Sequence, residues 1–286
     1  MTIIFGLLSA FSYGYADFFG ALAAKKVRAL AVTTVSFVIG LAIALVLALF
    51  IGADFSFETI QAGLYAGICS AIAISCLYAA LALGPISIVS PLTAVISAVI
   101  PVVVDLAFGQ TLSTFAGFAI ALVLIAVVLV AFVPGKDVKL PSLPSLFYSL
   151  GAGLGFSGIF VFLDFAPASS GLGPLIVMRV VGIALLVLGL IVLWVRSNRE
   201  VFLEREILAP KLFGLIALAG LGDVTGNVFF LIATREGALA IAAVLTSLYP
   251  IGTILLARFV LKERIAISQS LGIALGLGAV ALLALG

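Results

Sequence analysis

The chain is 286 residues long, 65% of them hydrophobic, and carries 14 basic and 12 acidic side chains with no histidine. A soluble domain of this length carries roughly 70 charges, so too few polar groups exist to cover a water-facing surface, and a disordered chain is excluded for the opposite reason. Apolar residues run from end to end, which excludes a peripheral protein on one anchor and leaves an integral, multi-pass protein whose surroundings are the lipid bilayer; the net charge of +2 comes with no basic patch suited to nucleic acid.

A membrane helix needs about 20 apolar residues. Apolar runs separated by short polar or Gly/Pro breaks predict ten helices, near 3–23, 30–51, 60–82, 86–108, 112–133, 144–166, 171–195, 209–234, 238–257 and 266–285. The runs are continuously apolar, as over 120–133, whereas barrel strands would alternate. The first run begins at Thr2 without a basic flank or an A-x-A cleavage site, so a retained helix is expected. Cys69 and Cys76 share the third span about 10 Å apart, too far for a mutual disulfide.

The basic residues sort by connection. Those after spans 1, 5, 7 and 9 hold Lys25, Lys26 and Arg28; Lys136 and Lys139; Arg196, Arg199, Arg205 and Lys211; and Arg258, Lys262 and Arg264. Those after spans 2, 4, 6 and 8 hold only Arg235, and Arg179 lies within a span. Positive residues favour the cytoplasm, which places both termini outside.

The halves resemble each other. A shift of 153 residues lays Gly84–Gln110 on Gly237–Glu263 without a gap, and Ala66-Gly67 on Ala219-Gly220. A shift of 142 aligns TTVSFVIG (33–40) with LIVMRVVG (175–182). The reading is an all-α membrane protein of two five-helix repeats, 1–135 and 142–286. Five is odd, so the repeats are inverted. The charges agree: the loop with Lys25, Lys26 and Arg28 corresponds to the uncharged APASSG (166–171), and FGQTL (108–112) to LKERI (261–265). Inverted repeats are common in secondary transporters, with the substrate site near the midplane.

Two segments, YGYADFFGALAAKK (13–26) and the stretch from GDVTGN at 222 to LKERI at 265, together with the ten-span layout, resemble the EamA-type members of the drug/metabolite transporter superfamily. The uncharged FGQTL departs from the L-x-E-R-like turn that closes the second segment. The resemblance implies a carrier that moves a small organic solute by alternating access. Family substrates span amino acids, sugars, nucleotide-like metabolites and drugs. Analogy ranks efflux above import and points to a bacterial cytoplasmic, that is inner, membrane.

Ionisable residues inside spans cost about 2.5–3.5 kcal/mol each on insertion scales and face the bundle interior, a partner or water. Five qualify: Asp17, Asp105, Asp164, Arg179 and Asp223. Asp223 sits in GLGDVTGN with Asn227 one turn later, in a Gly-rich setting open to close approach. It is a candidate for substrate and proton binding, or for a structural pair with Arg179. Asp17, with Tyr13 on its face, is the second proton candidate, or a partner of Lys25 or Lys26. Arg179 needs Asp164, Asp223, carbonyls or an anionic substrate. Asp105 and Asp164 lie near span ends, where snorkelling or solvation accounts for them.

Pro91 and Pro101 in the fourth span and Pro250 in the ninth are expected to break their helices and free carbonyls, with Thr93, Ser97, Thr246 and Tyr249 nearby to bind a polar solute. The glycine pairs 63/67 and 272/276 read as helix-packing contacts. No G-x-x-x-x-G-K-[ST] loop is present, and without histidine there is no zincin motif, haem histidine or Ser-His pair, so no cofactor, metal or enzymatic activity is expected. A channel or passive facilitator is the alternative. An intramembrane enzyme is remote, since the fragment G-L-G-D at 220–223 has no Y-D partner.

Overall fold

The structure is a computed structural model. It describes all residues except 84–85, 132–141, 198–202, 263–264 and 286, and the side chains of a few more around 78–91, 131 and 284–285. Among the described residues the regular structure is helical: α1 (Thr2–Ala24), α2 (Ala29–Ile51), α3 (Phe57–Leu83), α4 (Ile86–Ala107), α5 (Thr114–Ala131), α6 (Leu143–Asp164), α7 (Gly173–Arg196), α8 (Pro210–Arg235), α9 (Leu239–Thr246), α10 (Tyr249–Val260) and α11 (Ile267–Leu285). Together α9 and α10 make one span, giving the ten expected. Seven spans are long and apolar enough to cross a bilayer by length and composition, and α4, α5 and α11 supply three shorter apolar helices.

Local chemistry sets several ends. The Ser142 hydroxyl accepts the Ser145 N–H at 3.3 Å and caps α6. Proline occupies the first turn of α7 and α8, where a missing N–H costs nothing. Gly52 ends α2 at φ 89°, a conformation most residues avoid.

The spans run up and down. The start of α1 and the end of α11 share one face, and contacts between helix ends follow the alternation. On the terminal face, Ala53 bridges Gly171, the Phe108 and Phe165 rings lie 5.5 Å apart, and Arg235 donates to the Gly171 carbonyl at 2.7 Å. On the opposite face, Arg28 Nε lies 2.6 Å from Glu204 Oε1 and the Ser142 hydroxyl donates to the Leu83 carbonyl. The loops with Lys136 and Lys139, Arg199, and Glu263 with Arg264 lie outside the described residues.

The repeats are visible as packing. The most extensive helix contacts are α1 on α8 and α3 on α6, which a pseudo-twofold axis exchanges, and α5 on α11, which it maps onto itself. Residue detail agrees. A Cβ on Gly67 of α3 would meet the Met178 carbonyl of α7 at 2.9 Å and Val181 at 2.6 Å. A Cβ on Gly220 of α8 would meet the Ser36 carbonyl of α2 at 2.7 Å and Ile39 at 3.3 Å. Gly67 and Gly220 differ by 153, and Ser36 and Ile39 differ from Met178 and Val181 by 142, so two shifts found independently meet in one pair of symmetric contacts. In both, glycine lets backbones approach, which is the means of helix association in lipid.

The proline expectation is half corrected. α4 continues through Pro91 and Pro101, whereas the ninth span divides at 247–248, just before Pro250. Pro250 cannot donate to the Thr246 carbonyl, and its ring crowds that oxygen. Its image under the 153 shift is Ser97, which keeps its N–H, so only the second repeat is broken there. Packing by neighbouring helices lets α4 absorb its other prolines.

Candidate functional site

The two repeats enclose a cavity of about 80 Å³. Seven of the nine sequence candidates line it: Tyr13 and Asp17 from α1, Ser97 from α4, Arg179 from α7, Asp223 and Asn227 from α8, and Tyr249 from α10. Thr93 and Thr246 are buried outside the lining. The Thr93 hydroxyl donates to the Ser149 carbonyl at 3.4 Å and ties α4 to α6. The Thr246 hydroxyl, beside the α9–α10 break, has no hydrogen-bond partner among the described residues.

The centre of the site is an ion pair. Arg179 is fully buried and its Nη1 meets Asp223 Oδ2, while the Asp223 side chain is 27% exposed. Of the pairings open in the sequence, this one forms, and Asp164 lies elsewhere, beside Thr234 near the terminal face. Asn227 Nδ2 donates to the Asp223 carbonyl at 2.8 Å and is thereby held on the same wall. The Arg179 guanidinium carbon also sits 4.4 Å from the Phe37 ring centroid, a cation–π arrangement. Beyond the ion pair, the Arg179 nitrogens have no hydrogen-bond partner among the described residues.

Asp17 is exposed to the cavity and makes neither an ion pair nor a hydrogen bond among the described residues. Pairing with Lys25 or Lys26 is not formed. Asp17 and Asp223 lie close enough to interact electrostatically, so two carboxylates and one guanidinium share the chamber.

The walls are mostly aromatic and aliphatic, including Phe37, Ile74, Leu77, Phe156, Ile159 and Phe160. Ser70, which sequence reasoning missed, also lines the site; the 153 shift places it on Asp223 and would have found it. Toward the terminal face the lining residue Phe160 stacks on the buried Phe230, with centroids 4.3 Å apart. Asp17 and Leu77 extend the lining toward the opposite face. The α9–α10 break puts Tyr249 on the wall, and α1 presses on it: a Cβ on Gly14 would meet the Tyr249 carbonyl at 2.5 Å.

Asp105 corrects another expectation. It is 8% exposed, and its Oδ2 accepts the Ala240 N–H at 2.8 Å. It caps the start of α9 from the other repeat instead of snorkelling, because the first N–H groups of a helix lack internal partners. A second hollow of about 670 Å³, along α2 and α8 with Ile39, Ile43, Leu215 and Leu218, is a nearly wholly apolar surface trough. Lys211 is its one charged lining residue, so the smaller central chamber, with its several polar groups, is the candidate site.

Comparison with known proteins agrees with this architecture. No curated protein matches the chain. A solved structure titled only "Crystal structure of protein" is similar in fold, with a TM-score of 0.77 at 15% identity, over 99% of this chain and 96% of that one. One family pattern, that of the EamA-like transporter family, matches residues 1–132 and 143–285. With nearly its whole length matched as two repeats, the chain belongs to the EamA-like transporter family, a family of membrane transporters of small solutes.

Proposed function

We propose that the protein is a secondary-active carrier that moves a small organic solute through the central chamber by alternating access. The observation that carries this reading is the Arg179–Asp223 pair, on the wall of a chamber between inverted repeats that the stacked Phe160 and Phe230 rings border toward the terminal face. Charges inside a membrane are costly and mark solute paths. Rocking the repeats would open the chamber to the two sides in turn.

Tyr13, Asp17, Ser97, Arg179, Asp223, Asn227 and Tyr249 are the proposed solute contacts. Thr93 and Thr246 lie one layer behind them and are assigned to the seams that move. Asp17 and Asp223 are the proposed proton sites. The basic connections assign the opposite face to the cytoplasm and both termini to the outside. The chamber extends toward that cytoplasmic face, the side from which an exporter loads, and family analogy adds a bacterial cytoplasmic membrane.

Purified protein in liposomes, given labelled organic acids, amino acids, sugars and cations under a pH gradient, tests the reading. The expected result is saturable accumulation that collapses with a proton ionophore and is lost in Asp223→Asn. Ohmic, non-saturating current, the mark of a channel, would overturn it.

A further inference from the structure

The Arg179 guanidinium offers five N–H donors. It is 0% exposed, and one ion pair with Asp223 is its only polar partner among the described residues. Buried donors left unmade cost about 1–3 kcal/mol each. These donors border a chamber that holds no other anionic group except Asp17. A planar oxyanion is the ligand that satisfies a guanidinium with two parallel hydrogen bonds. The remaining wall, with Tyr13, Phe37, Phe156, Phe160 and Tyr249, suits an apolar or aromatic body. The volume of about 80 Å³ is that of about three waters at liquid density, so a solute the size of benzoate enters as the chamber widens.

Resting on the carrier reading, we infer that the solute is a small organic oxyanion, and that its carboxylate displaces Asp223 from Arg179 while one proton enters Asp223. Asp223, on Arg179, occupies the position proposed for the solute carboxylate. Arriving solute brings one negative charge, and the released Asp223 would stand beside Asp17 as a second unpaired carboxylate. One proton restores the charge of the chamber. Solute and proton then cross together with no net charge moved, so outward movement runs down the solute's own gradient and inward movement draws on the proton gradient.

The other groups facing Asp223 are few. From α1 come Tyr13 and Asp17, from α7 Arg179 and from α10 Tyr249; α2, α3, α4 and α6 bring only Phe37, Ser70, Ser97 and uncharged apolar side chains to the lining. Cys69 and Cys76 lie against Gly158 and Gly151 of α6, outside it.

The test uses the full-length protein in nanodiscs and four probes: benzoate, benzamide, benzylammonium and inorganic phosphate. Calorimetric titration in two buffers of different ionisation enthalpy gives affinity and protons taken up. Benzoate is expected to bind at least tenfold more tightly than the other three, with about one proton taken up per benzoate. Asp223→Asn removes the competitor, so benzoate affinity at pH 8 rises about tenfold and proton uptake disappears. Arg179→Gln loses benzoate; Arg179→Lys, which keeps the charge without the planar fork, loses most of it. Should Arg179→Gln fail to fold, the selectivity of the unaltered protein still decides. Tightest binding of benzylammonium, tighter binding of phosphate than benzoate, or benzoate binding without proton uptake would overturn the inference. Liposome flux separates the two readings: saturable transport of benzylammonium alone sinks the oxyanion site and leaves the carrier, and benzoate binding without any flux does the reverse.

Discussion

Arg179 and Phe37 are images of each other under the repeat, and they touch: the guanidinium carbon lies 4.4 Å from the ring centroid. Their neighbours follow the same rule, since Asp223 is the image of Ser70 and both line the chamber. Symmetry brings the positions together, and the second repeat alone supplies the ion pair. A chamber built by duplication thus has chemically different halves.

The ion pair has a stability consequence. Removing one member leaves a charge in a poorly solvated interior, and buried pairs broken in this way cost about 3 kcal/mol or more. Arg179→Gln and Asp223→Asn should each lower the melting temperature in detergent, and the double variant should recover much of the loss. Additive losses in the double variant would show that the two side chains do not depend on each other.

The symmetric glycine contacts make matched predictions. Gly67→Ala and Gly220→Ala each push a methyl against a facing backbone, and overpacking of that kind costs about 1–3 kcal/mol. Gly117 and Gly278 face open space, so alanine there should be neutral or stabilising by up to about 1 kcal/mol through helix propensity. Thermal melts of the four variants check this. Equal losses at all four would remove close backbone approach as the cause.

Asp105 caps α9 across the repeat boundary, so Asp105→Ala should cost about 1 kcal/mol and Asp105→Asn much less, because asparagine also accepts the Ala240 N–H. Amide exchange at the start of α9 reads the effect directly. Unchanged protection in the alanine variant would contradict the cap.

Glu204 lies outside the spans and gives a pH signature. Burial pushes its carboxyl up, but the Arg28 hydrogen bonds and charge outweigh this and hold it below the ordinary value of 4.5. The unfolded carboxyl keeps the higher value, so the pair's stability is present above about pH 4.5 and is lost as pH falls through the depressed value. The melting difference between the unaltered protein and Glu204→Gln should therefore be flat above that pH and shrink below it. A difference that grows on acidification would contradict the pairing.

Much of the fold was legible because lipid imposes it. Backbone groups with no water must bond within the segment, so helix number and position follow from apolar run length. The 153 and 142 shifts exposed the repeat, and the Pro250 break was visible as a missing donor. Which helices pack together was not legible, because every face of α2 or α5 is apolar and periodicity marks no side. For that reason Asp105 looked like a snorkelling side chain and proved to be a cap. Arg179 was clearly in need of a partner, but choosing Asp223 over Asp164 required the packing of α7 and α8. Thr93 and Thr246 sit beside Pro91 and Pro250 in sequence, yet neither is among the residues that line the chamber.

Orientation can be read with cysteines at positions 25 and 236 in a background lacking Cys69 and Cys76. Lys25→Cys should react with an impermeant thiol reagent only after the membrane is opened, and Glu236→Cys from outside. The reverse pattern would invert the topology and with it the loading side.

The central claim is that one chamber is exposed to the two sides in turn. Trans-stimulation tests it most directly: liposomes carrying the protein are preloaded with unlabelled solute, and entry of labelled solute is followed. An alternating carrier predicts saturable entry that preloading accelerates, with both features lost in Arg179→Gln. Entry that rises linearly with concentration and ignores preloading would contradict the account.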